Sequence, residues 1–163
     1  MNVNDVMVKS VSVCRPDHNL AEVVATLWEG RCGALPVVDG RGKVTSVITD
    51  RDICIALGTR NLRASEVQVK DVSLPRVFSC GPHDDVRLAL KTMESQNVRR
   101  LPVVDPDGKL IGILSIDDLL LHSERRAGKA GISHEDAVNA VKSILKNRSR
   151  EAVHERADLV ALA

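Results

Sequence analysis

LPVVDGRGKV occupies residues 35–44 and LPVVDPDGKL occupies 101–110, in a chain of 163 residues. Pro36 and Pro102 stand 66 positions apart, and so do Asp39 and Asp105, Gly42 and Gly108, and Lys43 and Lys109. The same offset relates Asp5-Val6 to Asp71-Val72, Val11 to Val77, Cys14 to Cys80, Pro16 to Pro82, Thr26 to Thr92 and Asp52 to Asp118. A period held without insertion from residue 5 to residue 118 means two copies of one structural unit.

Within each copy the same elements are spelled in the same order. VSVC (11–14) is a short β-rich run closed by Arg15-Pro16. Leu20, Val23, Val24 and Leu27 follow at the spacing of one helix face, matched by Val86, Ala89, Leu90 and Met93. Gly30 stands where a C-cap glycine belongs. ALPVV (34–38) reads as a buried strand, Asp39-Gly40-Arg41-Gly42 as a turn, and KVTSVI (43–48) as the returning strand. Thr49 then caps a helix that starts at Asp50, as Ser115 does in the second copy. The unit is β-α-β-β-α, and its hairpin leaves an apolar face that one copy alone does not cover. The reading divides the chain into copy 1 (1–62), copy 2 (63–124), and a hinge with a C-terminal helical extension (125–163). In that extension Ser133 and Asp136 form a capping-box variant, and Ala137, Val141, Ile144 and Leu145 line one helix side.

Composition narrows the class. A 44% hydrophobic and 28% charged chain is ordinary for a globular protein. A net charge of +1 supplies no bulk attraction to nucleic acid or to an anionic membrane. The chain has no Tyr, one Trp (Trp28) and one Phe (Phe78), so aromatic stacking on single strands is not a major mode. MNVNDVMVKS lacks a signal pattern, and no apolar run approaches the roughly 18 residues of a membrane helix, so a cytoplasmic location is expected. Cys14, Cys32, Cys54 and Cys80 form no CxxC and are expected to be reduced, mostly buried thiols, with no Cys14–Cys80 bridge. His18 and His83, near the starts of the repeat helices, read as helpers of the caps rather than as metal ligands. No GxxxxGK[ST], GxSxG or HExxH occurs, and no enzyme activity is expected.

Two units of the form LPVVDxxGK, each followed by a strand ending in T/S-x-x-D (TDRDI, 49–53; SIDDL, 115–119), resemble a tandem CBS domain pair of the free-standing type, the Bateman module. The likeness runs from residue 4 to about residue 122. Gly112 matches the family's glycine, and Ser46 replaces it in the first copy. The resemblance implies a mixed α/β fold of two repeats packed about a pseudo-two-fold axis with two clefts, plus the C-terminal helix. It implies a regulatory module that binds an adenosine-containing ligand (AMP, ADP, ATP, NAD or S-adenosylmethionine), needs no other cofactor, and signals through conformation or a protein partner. It also implies a homodimer. By family analogy Thr49, Arg51 and Asp52 face Val98, Arg99 and Arg100, while Ser115, Asp117 and Asp118 face Cys32, Gly33 and Ala34. An ionised Asp suits ribose hydroxyls, a hydroxyl at a helix start suits a phosphate, and arginines suit an oligophosphate. The cleft with Asp52 is therefore expected to be the tighter phosphorylated-ligand site. The alternatives are plain helix caps and a solvated basic edge, which would leave a structural dimerisation adaptor with empty clefts.

Overall fold

A computed structural model describes residues 1–125 and 131–146. Its elements are α1 (Val3–Val6), α2 (Leu20–Glu29), β1 (Ala34–Val38), β2 (Val44–Thr49), α3 (Asp50–Arg60), α4 (Val86–Gln96), β3 (Arg100–Val104), β4 (Leu110–Ser115) and α5 (Ile116–Leu121). A last helix, α6, runs over 134–146. Residues 126–130 of the expected hinge and residues 147–163 of the C-terminal extension lie outside the described residues.

β1 and β2 pair antiparallel from Ala34↔Thr49 to Val38↔Val44, with an irregularity between Val37 and Val38. β3 and β4 make the second two-stranded sheet. Each turn is set by one carboxylate. Asp39 Oδ1 accepts from the backbone N–H of Arg41 (2.8 Å) and Lys43 (2.9 Å), and Asp105 Oδ1 from Asp107 (2.9 Å) and Lys109 (2.8 Å). Those N–H bonds hold the Asp39 carboxyl below its usual range. The expected first strand shrinks to single parallel bridges, Cys14 to Val37 and Cys80 to Val103.

The chain resolves into two compact bodies that are not the two sequence copies. One comprises Val8–Ser79 with Val104–Gly112; the other comprises Met1–Met7, Cys80–Val103 and Ile113 onward. In the first body Leu20, Val23 and Leu27 of α2 pack with Leu35, Val37, Ile48, Ile53 and Ala56 around Cys14. Val67 and Val69, from the leading arm of copy 2, complete this core. They are tied in by Leu20 N to Val67 O (2.9 Å), Val69 N to His18 O (2.9 Å) and Lys70 N to Pro16 O (3.0 Å). The turn of the second hairpin also belongs here, through Val44 N to Gly108 O (3.2 Å) and Leu110 N to Gly42 O (3.1 Å).

The second body repeats this arrangement with the N-terminal arm. Val86 N donates to Met1 O (3.3 Å), Val3 N to Asp84 O (3.0 Å) and Asn4 N to Pro82 O (2.9 Å). Val3 and Val69, 66 positions apart, are both fully buried. Val86, Ala89, Leu90 and Met93 of α4 are buried as expected, and so are Ala137, Ala140 and Ile144 of α6. Ser133 and Asp136 cap α6 as read from sequence (Ser133 Oγ to Asp136 Oδ2, 2.7 Å).

Several expectations change in detail. Val24 is 44% exposed, although its counterpart Leu90 is buried. Val141 is half-buried and Leu145 exposed, so Ala140 takes the place given to Val141. Gly30 caps α2 in a right-handed conformation; the left-handed residues after the helices are Arg31, Asn61 and Asn97. Gly30 is small for another reason, because a Cβ there would lie 3.1 Å from Thr26 O and 3.3 Å from Cys32 Sγ. The side-chain caps are Asn19 and Asp85 rather than His18 and His83. All four cysteines are free; Cys14 and Cys80 are buried, Cys32 is half-buried and Cys54 is exposed. Burial pushes the Cys14 thiol up to about 11; burial, helped by Asp84, pushes Cys80 up to about 12.

Candidate functional site

The two T/S-x-x-D motifs fold into the same constellation. Thr49 leaves β2 in extended backbone and becomes the N-cap of α3, so Asp52 falls at the third helical position and turns back. Asp52 Oδ2 accepts from Thr49 N (2.9 Å) and Thr49 Oγ1 (2.6 Å), while Asp52 N donates to Thr49 Oγ1 (3.2 Å). Ser115 and Asp118 repeat this at the start of α5, at 2.8, 2.6 and 3.1 Å. In both boxes every one of these carboxylate contacts falls on Oδ2. Among the described residues no hydrogen bond reaches the Oδ1 atoms, and all four residues are half-buried.

Strand entry and helix start meet within each copy. Ala34 stands opposite Thr49 in the sheet, and Asp50 N donates to Gly33 O at 3.2 Å. A Cβ on Gly33 would lie 3.1 Å from Asp50 Oδ2, so that exposed carboxylate stands over position 33 and would have to give by a few tenths of an ångström to a larger residue. In copy 2 the equivalent residues are Arg99 and Ile116, and Ile116 N donates to Arg99 O at 2.9 Å. Arg99 turns its guanidinium to Asp117 (3.5 Å), an exposed pair of small energetic weight. No ion pair to Arg100 occurs among the described residues. Cys32 packs against the core of its own body. Val98 is half-buried, its N–H bonded to Met93 O (3.0 Å). Arg51 is exposed at the first turn of α3.

The described residues of the first body form clefts at two places near these elements. The larger, about 260 Å³, is lined by Lys9, Val11, Val13, Val38, Gly42, Leu110, Ile111 and Gly112. Apart from Gly112, noted as the family glycine, this wall was not among the residues expected to bind. Its signal in the sequence was weak, since alternating Val11 and Val13 read only as strand. The smaller, about 200 Å³, runs along α3 past Asp52, Ile55, Ala56, Thr59, Arg60 and Val72. Among the described residues no three His, Cys, Asp or Glu side chains cluster to hold a metal, and no helix is long and apolar enough to cross a membrane.

The CBS domain model matches twice, over residues 3–59 and 69–125. The chain belongs to the CBS domain family. Curated relatives include the CBS domain-containing protein YhcV of Bacillus subtilis, 31% identical over 139 residues, covering 83% of this chain and 97% of YhcV. They also include the inosine-5'-monophosphate dehydrogenase of Methanocaldococcus jannaschii, 32% identical over 118 residues. The chain spans 22% of that enzyme and 61% of a Methanopyrus kandleri relative. Among solved structures, CBSX2 in complex with AMP is 27% identical with a TM-score of 0.64, covering 74% of this chain and 93% of that one. The tandem CBS repeats and the mixed α/β fold read from the sequence therefore stand.

Proposed function

We propose that this CBS pair is a regulatory module that binds an adenosine-containing ligand, and that Asp52 and Asp118 hold its ribose. One observation carries the reading. Each capping box engages only one carboxylate oxygen, so the second can accept from a ribose hydroxyl without undoing the cap. Capping and ligand contact, which look like rivals in the sequence, are compatible in the fold. The relative that binds AMP supports the ligand class. Thr49, Arg51, Ser115 and Asp117 stand at the same helix starts, beside Cys32, Gly33, Ala34, Val98 and Arg99, and make up the rest of the proposed binding set. The apolar walls and two glycines of the larger cleft suit a flat ring. Arg100, which has no described ion pair, is the first choice for a phosphate. The module works as a homodimer that answers ligand through shape or through a protein partner.

Thermal shift with AMP, ADP, ATP, NAD and S-adenosylmethionine tests the class, since a ligand at a hundredfold over Kd stabilises the native state by about 2.7 kcal/mol. Calorimetry then tests the residues. Asp52→Asn is expected to weaken AMP, ADP and adenosine alike, roughly ten- to a hundredfold, as the loss of one charge-assisted hydrogen bond of about 1.5–3 kcal/mol requires. Arg100→Ala should weaken the phosphorylated ligands and spare adenosine. Combining Arg100→Ala with Asp52→Asn or with Asp118→Asn shows which aspartate shares its ligand with Arg100, because only that pair departs from additivity. Asp52 is the expected partner; coupling to Asp118 instead reverses the assignment. If no ligand in the panel shifts the melting transition, the module is an adaptor for dimerisation.

A further inference from the structure

α2 is apolar on two faces. Leu20, Val23 and Leu27 are buried, while Ala21, Val24, Ala25 and Trp28 form an exposed stripe at i, i+3, i+4 and i+7. Trp28 is 84% exposed. In α4 the positions 66 residues on are Arg87, Leu90, Lys91 and Glu94, so the second copy replaces most of this stripe with charge. There Leu90 is buried, Asp136 of α6 is near enough for its charge to act on Arg87, and His134 Nδ1 of α6 meets Ser123 Oγ at 2.7 Å. α6 is itself apolar on two sides. Ala137, Ala140 and Ile144 turn inward, and exposed Val138 lies on a second stripe with Val141 and Leu145. The edge charges of the two stripes are opposite. Glu29, with Glu22, borders the stripe on α2, and exposed Lys142 and Lys146 border the stripe on α6.

We infer that in the homodimer the outer face of α6 from one chain docks on the α2 stripe of a second copy, and reciprocally. This rests on the dimer proposed above and names the surface that makes it. Each chain offers an acid-edged apolar stripe and a base-edged one, so a two-fold pair satisfies both at once. Trp28 is the anchor of the stripe, since Trp is enriched among the residues that carry most of an interface's binding energy. The lysines set register and orientation rather than most of the affinity.

Sedimentation equilibrium at micromolar protein reads the result, with far-UV circular dichroism confirming that each variant is folded. The parent chain should be a dimer, and Trp28→Ala and Val138→Glu should each raise its dissociation constant about tenfold or more. Glu29→Lys and Lys142→Glu should each weaken self-association, because each homodimer then meets like charges twice. An equimolar mixture of the two should recover the parent affinity, because in the mixed dimer both contacts are again between opposite charges. A parent chain that stays monomeric overturns both the dimer and this surface. A dimer unmoved by Val138→Glu and Lys142→Glu keeps the dimer and overturns the surface, and sensitivity to Trp28→Ala alone would then mean that two α2 faces meet each other.

Discussion

At Gly42 and Gly108 φ is +81°, and a Cβ built on either glycine meets nothing within 4 Å. Space is therefore not what reserves these positions for glycine; the left-handed backbone is. That backbone lets Gly42 N reach Asp39 O (3.0 Å) and Gly108 N reach Asp105 O (2.9 Å) while each aspartate accepts two further N–H groups. Gly42→Ala and Gly108→Ala should each destabilise the protein by about 1 kcal/mol or more, and Gly42→Asn by less, because Asn tolerates this region. Chemical denaturation checks it: a shifted midpoint with an unchanged slope is expected, and equal midpoints for Ala and Asn would mean that backbone strain is not the cause.

At the scale of elements, α4 depends on Asp85. Its carboxylate is held well below the usual range first by the Arg87 side chain (Oδ1 to Nε 3.0 Å, Oδ2 to Nη2 2.8 Å), then by the Arg87 backbone N–H. A carboxyl with a lower pKa folded than unfolded contributes stability above the unfolded value of about 3.9, and that contribution is lost as pH falls toward the folded value. Melting temperatures should therefore drop below about pH 4, and Asp85→Asn, which still caps but does not titrate, should flatten that limb. An unchanged acid limb in the variant would assign it to other carboxylates such as Asp39 and Asp136, which are lowered as well. Elements were the most legible scale in the sequence. The buried positions Leu20, Val23 and Leu27, both hairpin turns and both capping boxes follow from spacing and turn chemistry alone. Val24 was misplaced because periodicity marks an apolar face without telling whether anything covers it. The first strand was overlong because VSVC has β character but only Cys14 finds a partner. At the candidate site the carboxylates were legible, since a helix start fixes them locally. The cleft walls and the contact of Asp50 with Gly33 were not, because they join segments whose spacing carries no signal.

At the scale of the whole molecule, the bodies and the copies do not coincide. Met1–Met7 belongs with Cys80–Val103, and Val67 and Val69 belong with the core around Cys14. Val3 fills a fully buried position, and losing it alone to Ala should cost about 2 kcal/mol, two methyl groups plus a residual cavity. Removing residues 1–7 should therefore loosen α4, some eighty positions away, more than α2, which follows within twenty. Amide exchange on the shortened chain is expected to quicken in 86–96 and to change little in 20–29; the opposite pattern would mean that the arm serves its own copy.

Each copy lends its leading arm to the other. A gene fragment encoding one copy alone would thus make a chain whose arm has no helix to settle on, except that of another identical chain. Two such half-length chains could close on each other by mutual exchange and reproduce the contacts of the full protein from identical parts. The offset of 66 residues places the boundary between the two arm-and-helix copies at the segment around residues 60–66.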